Sequence, residues 1–141
     1  MDDLKLAQRC AETMWAGDAA SRALGIEIEI PAAGEAIATM TVRKDMVNGL
    51  DVCHGGLVFA LGDTAFAFAC NAYDSQTVAA AVHIDFVRPG YLGDVLVATA
   101  VEDHRGRKSG YYTITIRNQR QELVAIFRGR GANTGRPLLS D

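Results

Sequence analysis

Residues 55–70 form one apolar run, and the only charge inside it is the carboxylate of Asp63. Leu57, Phe59, Leu61, Ala65, Phe66 and Phe68 point to every side of a helix wound over this run, so such a helix is expected to be buried all round. A lone carboxylate there is costly to keep charged, so Asp63 needs a reason to be present. The run is shorter than the roughly 20 apolar residues that cross a bilayer and carries Asp63 at its middle, so no membrane partner is expected. At its start stand Gly55 and Gly56, where the first backbone N–H groups of a helix lack internal acceptors and carry the positive end of its dipole. Without a side chain at these two positions a substrate carbonyl can approach those amides.

The rest of the chain must supply cover for this helix. Leu4, Ala7, Cys10, Ala11, Met14 and Trp15 recur at helical spacing behind a cap at Asp2 or Asp3, which predicts an amphipathic first helix. A short helical connector is predicted from Asp18 to Gly25. From Leu24 the period changes to two. Ile26, Ile28 and Ile30 alternate with Glu27 and Glu29, whose carboxylates form the solvated face of an edge strand, and a second strand follows over 36–42. Four more strands are expected over 78–87, 94–102, 111–117 and 123–129, separated by polar or Gly/Pro breaks. The order helix, two strands, buried helix, four strands gives an α+β fold, a twisted antiparallel sheet wrapped around one long central helix. A sheet covers only one side of that helix, so something else must cover the other. The expected organisation is an N-terminal helical segment over 1–23, the sheet-and-helix domain over 24–131 and a loose tail over 132–141.

A chain of 141 residues is one domain with one type of site. The net charge of -3, with no basic tail or finger motif, argues against nucleic acid as a partner. Three cysteines at unrelated spacings (Cys10, Cys53, Cys70) and an acidic start without a secretory pattern predict a cytoplasmic protein. His83 and His104 lack metal-ligand spacing and no metal is expected. His54 invites a nucleophilic-triad reading, but no serine or cysteine stands at a strained elbow. His54 is read either as a group that hydrogen-bonds near the helix start and shapes a carbonyl site, or as a structural cap. Gly62 admits two readings, close approach of a second subunit or plain packing. Asp63 is either a reactive carboxylate or a buried one tied to a cap or hydroxyl such as Thr64, and burial should raise its pKa.

The segment 48–56, with Asn48 six residues before His54, then Gly55, Gly56, and Asp63-Thr64 nine residues after the histidine, resembles the hotdog-fold acyl-CoA thioesterases. The likeness is in particular to the phenylacetate-degradation (PaaI-type) branch, and the strand-and-turn stretch Ile84 to Gly90, with Arg88-Pro89-Gly90, supports it. The resemblance spans about 24–131 and implies hydrolysis of phenylacetyl-CoA, its ring-hydroxylated relatives or similar aryl and short acyl-CoA thioesters. It implies that the Gly55 amide polarises the thioester carbonyl, that Asp63 is nucleophile or general base, that Asn48 and His54 line and orient the site, and that Thr64 is a polar neighbour. Coenzyme A enters as part of the substrate, with no separate cofactor. Its phosphates call for cations and glycine turns, for which Arg88, Pro89, Gly90, Arg107, Lys108, Ser109 and Gly110 are the candidates, with Arg105 beside them, while Gly56 binds substrate at the helix start. A hotdog hydratase or dehydratase is the enzymatic rival, but its D-x-N-P-x-H segment and its His/Glu helix pair are missing. A non-catalytic acyl-CoA sensor would need an added partner domain, for which the N-terminal residues are too few and too acidic.

A helix rises about 1.5 Å per residue, which sets Gly55 and Asp63 of one chain about 12 Å apart. One carbonyl cannot meet both, so the spacing predicts a symmetric homodimer in which each site takes Gly55 from one subunit and Asp63 from the other. The resemblance implies a homotetramer built from two such dimers.

Overall fold

The computed structural model describes residues 1–139. Helix α1 (Asp3–Ala16) starts on the Asp2 carboxylate, which accepts the Lys5 N–H at 2.8 Å. The short α2 (Ala19–Ala23) starts on Asp18, which accepts the Ser21 N–H at 2.9 Å. Then come β1 (Glu27–Glu29), β2 (Glu35–Thr41), a 3-10 turn (Lys44–Met46), the long α3 (Gly55–Cys70), β3 (Thr77–Phe86), β4 (Val95–Arg105), β5 (Ser109–Arg117) and β6 (Leu123–Asn133). The six strands form one antiparallel sheet in the order β1-β2-β4-β5-β6-β3. This is the hotdog arrangement, with α3 as the filling.

Alternation along the strands decides which side chains meet α3. Ala36, Ala38 and Met40 of β2, Leu96, Ala98 and Ala100 of β4, Ile114 and Ile116 of β5, and Phe127 of β6 are fully buried against Leu61, Ala65, Phe66 and Ala69. Alanines on the two strands nearest the sheet's β1 end bring the backbone close, so the sheet can curl around a cylinder only one helix thick. Glu27 and Glu29 are exposed on the edge strand β1, as their spacing predicts. The opposite edge strand, β3, breaks the alternation and is exposed along most of its length, with Val78 and Phe86 half open to solvent.

Three features depart from the sequence reading. The helix is not buried all round, because the sheet covers one side and α1 lays Trp15 against Phe68 (ring centroids 6.3 Å apart), leaving Phe59, Ala60, Asp63, Thr64 and Ala67 half-buried. The β4–β5 hairpin is longer than its polar residues suggest: Arg105 pairs with Gly110, the register shifts between Glu102 and His104, and only Gly106 to Lys108 form the turn. The tail is tied down over its described part, since β6 runs to Asn133 and the Leu138 and Leu139 N–H groups donate to Asp74 Oδ1 at 3.1 and 2.7 Å. Ser140 and Asp141 lie outside the described residues. No helix among those residues is long and apolar enough to cross a membrane.

Candidate active site

The start of α3 is clamped from two sides. Cys53 N–H donates to Gly90 O at 2.7 Å, and His54 N–H donates to Met46 O at 2.8 Å. Asn48 builds the loop between them: its Oδ1 accepts from Leu50 N–H (2.9 Å) and Val52 N–H (3.4 Å), while Asp51 takes a left-handed φ of 61°. His54 is the helix N-cap, and its Nδ1 accepts the Gly56 N–H at 2.9 Å, so the ring's own N–H is on Nε2. The Leu57 and Val58 amides close on His54 O at 2.9 and 3.2 Å. Among the first-turn donors this leaves Gly55 N–H as the one without an acceptor among the described residues. It opens into a cavity of about 310 Å³ lined by Asn48, Phe86, Arg88, Pro89 and Gly90.

The two glycines of the helix start do different work. A Cβ on Gly56 would lie 3.1 Å from His54 Nδ1 and press on the cap, so this position serves the fold. A Cβ on Gly55 would meet only the Phe86 ring, at an ordinary 3.5 Å. Packing within the chain therefore does not demand glycine at 55.

Asp63 lies two turns further on. It is half-buried, and accepts no hydrogen bond and forms no ion pair among the described residues; burial raises its pKa above the ordinary 3.8. It faces a second cavity, of about 260 Å³, lined also by Thr64 and Ala67 and, from α2, by Asp18, Ser21 and Leu24. Thr64 Oγ1 donates to Ala60 O at 2.8 Å and stands 3.2 Å from Ser21 Oγ. The single Thr64 hydroxyl proton is directed at Ala60 O, so Ser21 is the donor of the pair and Thr64 has no proton left for Asp63. Gly62 faces inward, where a Cβ would lie 2.8 Å from Phe127 Cδ2 and 3.3 Å from Ile116 Cδ1; of its two readings, packing inside the chain is the one found.

Within one chain, then, Asn48, Gly55, Arg88, Pro89 and Gly90 share one cavity, and Asp63 and Thr64 share another. Arg88 is exposed and leans on the start of β6, donating to Leu123 O at 3.2 Å with Glu122 at 3.8 Å. Gly90 is buried against Cys53 and Leu96. The hairpin cluster lies elsewhere: Lys108, Ser109 and Gly110 border a small recess of about 20 Å³ with Cys70 and Tyr73, and Arg107 is exposed on the turn. Gly110 is a packing glycine under the Tyr112 ring, and the Arg105 guanidinium stacks 3.8 Å over Tyr73. Next to it Glu102 accepts from both Tyr73 Oη (2.9 Å) and Tyr112 Oη (2.8 Å), a half-buried triad that no sequence motif announces. Cys53, beside His54, is buried with its thiol pKa raised by that burial, and Cys70 is pushed up to about 12, so neither supplies a thiolate. Among the described residues no three His, Cys, Asp or Glu side chains gather as a metal site.

The sequence pattern of the thioesterase superfamily matches residues 50–125, a span that contains Gly55, Asp63 and the Arg88 turn. The chain is 50% identical over 125 residues to the acyl-coenzyme A thioesterase PaaI of Escherichia coli, covering 89% of each. The solved structure of the E. coli PaaI protein from the phenylacetic acid degradation operon superposes with a TM-score of 0.94 at 46% identity, over 96% of this chain and 99% of that one. A hypothetical thioesterase of Streptococcus pneumoniae, solved with coenzyme A, superposes with a TM-score of 0.75 at 26% identity, over 79% of this chain and 90% of the other.

Proposed function

This chain belongs to the thioesterase superfamily, and from that premise we propose that it hydrolyses the thioester of phenylacetyl-CoA, ring-hydroxylated phenylacetyl-CoA or similar aryl and short acyl-CoA molecules to the free acid and coenzyme A. The observation that carries the reading is that one helix presents, in two cavities, an N–H at its start and a carboxylate at its middle that are both unpaired among the described residues. The likeness to a coenzyme A-bound thioesterase supports the ligand class.

The chemistry divides between two copies of the chain. The thioester oxygen sits on the Gly55 N–H of one subunit, where the helix dipole favours the charge that develops on it. The partner's Asp63 approaches the carbon, either attacking it directly or taking a proton from a water that attacks. In the first case the C–S bond breaks as the mixed anhydride forms, and water then cleaves the anhydride, which gives the acid, frees Asp63 and supplies the proton of the departing thiol; in the second the water oxygen bonds to the carbon, the C–S bond breaks, and the proton taken by Asp63 passes to the sulfur, so coenzyme A leaves as the thiol. Asn48 and His54 hold the loop and the cap that aim the Gly55 amide, and Arg88 with the Pro89-Gly90 turn offers the cationic rim for the coenzyme.

Facing Gly55 against the partner's Asp63 requires the two α3 helices to lie antiparallel with the two-fold axis at Phe59, halfway between them. The open side of α3 and the exposed edge strand β3 support such a dimer, and the family likeness supports its doubling to a tetramer. Three buried free cysteines suit a reducing, cytoplasmic setting. The test is thiol release from a panel of aryl, branched and straight-chain acyl-CoA substrates ranked by kcat/KM, with Asp63→Asn as control. Turnover that vanishes in the folded variant is expected; a parent protein inert toward every acyl-CoA overturns the reading.

A further inference from the structure

The two cavities flanking α3 differ in charge. The one at Gly55 carries Arg88, whereas the one at Asp63 holds a second carboxylate, Asp18, among small and apolar groups, Ala20, Leu24, Ala60 and Ala67. Phosphates are repelled from the second cavity, and a neutral acyl group is not. With the thioester carbon roughly 3 to 3.5 Å from the Asp63 carboxylate or its water, the carbonyl oxygen on the Gly55 N–H of the other subunit and the phosphates kept out, the acyl chain is the substituent directed into this space. Its outer wall is α2, which the sequence marks only as a connector.

We propose that α2 is the acyl-selectivity element of this enzyme: Ala20 and Leu24 limit the bulk of the acyl group, and Asp18 rejects acyl groups that end in a carboxylate. This rests on the thioesterase reading and extends it. The wall is fixed rather than loose. Asp18 caps α2 through Ser21 N–H, Ser21 Oγ donates to Thr64 on α3, and Ile26 N–H closes on Ser21 O at 3.1 Å. Ser21 is 4% exposed between exposed neighbours, so it pins α2 to the catalytic helix beside Asp63.

The test measures two ratios of kcat/KM on the full-length protein, phenylacetyl-CoA over acetyl-CoA and succinyl-CoA over butyryl-CoA. Ala20→Leu adds bulk with a residue that favours helix and should lower the first ratio by about tenfold or more. Asp18→Asn keeps a cap-forming side chain but removes the charge and should raise the second ratio by about fivefold or more. A shift in either ratio in its own variant supports the assignment, so a failure of Ala20→Leu to fold leaves Asp18→Asn to decide. Both ratios within about twofold of the parent, in folded active variants, overturn it. A parent that releases no thiol from any of the four substrates overturns the thioesterase reading itself, a result distinct from unshifted ratios.

Discussion

Replacing Gly55 by proline removes one hydrogen-bond donor and almost nothing else. Gly55 is the first residue of α3, where proline is tolerated because the N–H there has no intrahelical acceptor, and here it has none elsewhere among the described residues. His54 already has φ -56° and ψ 130°, the extended backbone that a following proline requires. The Phe86 ring leaves ordinary van der Waals room at the Cβ. Stability should therefore change by no more than about 1 kcal/mol, against about 3 kcal/mol or more for proline inside a helix. If this N–H holds the developing oxyanion, kcat should fall by about 10²–10³, equivalent to roughly 3–4 kcal/mol. Gly55→Ala, which keeps the N–H, should lose less. Thiol-release kinetics beside thermal melts of the three proteins decide the matter. A folded Gly55→Pro protein within about threefold of the parent refutes the role of this amide.

Asp63→Asn should lower kcat/KM by about 10²–10⁴ as a lost base or nucleophile, and should also stabilise the protein at neutral pH. The sign follows from burial: Asp63 has a folded pKa raised above 3.8, so its ionisation destabilises the fold as pH rises from 3.8 through the folded value. The melting-temperature gap between variant and parent should be flat at neutral pH and close toward pH 3, and the parent's kcat/KM should fall on the acid side above the ordinary carboxylate range. His54→Ala removes the 2.9 Å cap bond and should cost about 1 kcal/mol in urea titrations. Gly62→Ala forces a methyl to within 2.8 Å of Phe127 and should cost about 1–3 kcal/mol, read as a lower urea midpoint.

What the sequence reveals here depends on how local the cause is. The apolar run of α3, the two-residue period of strands such as β2 and β5 and the caps at Asp2 and Asp18 each reflect interactions within a few residues, and these stand in the structure, whereas the edge strand β3 loses the alternation. The sense of Gly62 depends on Phe127, 65 positions away, and on the ring's rotamer, so its neighbours in sequence could not decide between packing and subunit contact. The same holds for Thr64, whose hydroxyl is engaged by Ala60 O and by Ser21, 43 positions earlier. Arg105 resembles Arg88 as a cation beside glycines, yet one stacks on Tyr73 and the other borders the Gly55 cavity, because the hairpin ladder runs on to Arg105. The separation of Gly55 from Asp63, by contrast, follows from helix rise alone, and their placement in different cavities agrees with it.

Sharing of each site between subunits is tested by mixing two dead proteins. Gly55→Pro and Asp63→Asn subunits are unfolded together, refolded at equal concentration and assayed for thiol release. In a mixed dimer one site combines the intact Gly55 of one chain with the intact Asp63 of the other, and the second site carries both lesions. With half of the dimers mixed, about one quarter of the parent activity should return. If each site were built from a single chain, every site in the mixture would carry a lesion, and activity no higher than that of the two variants alone would contradict the account.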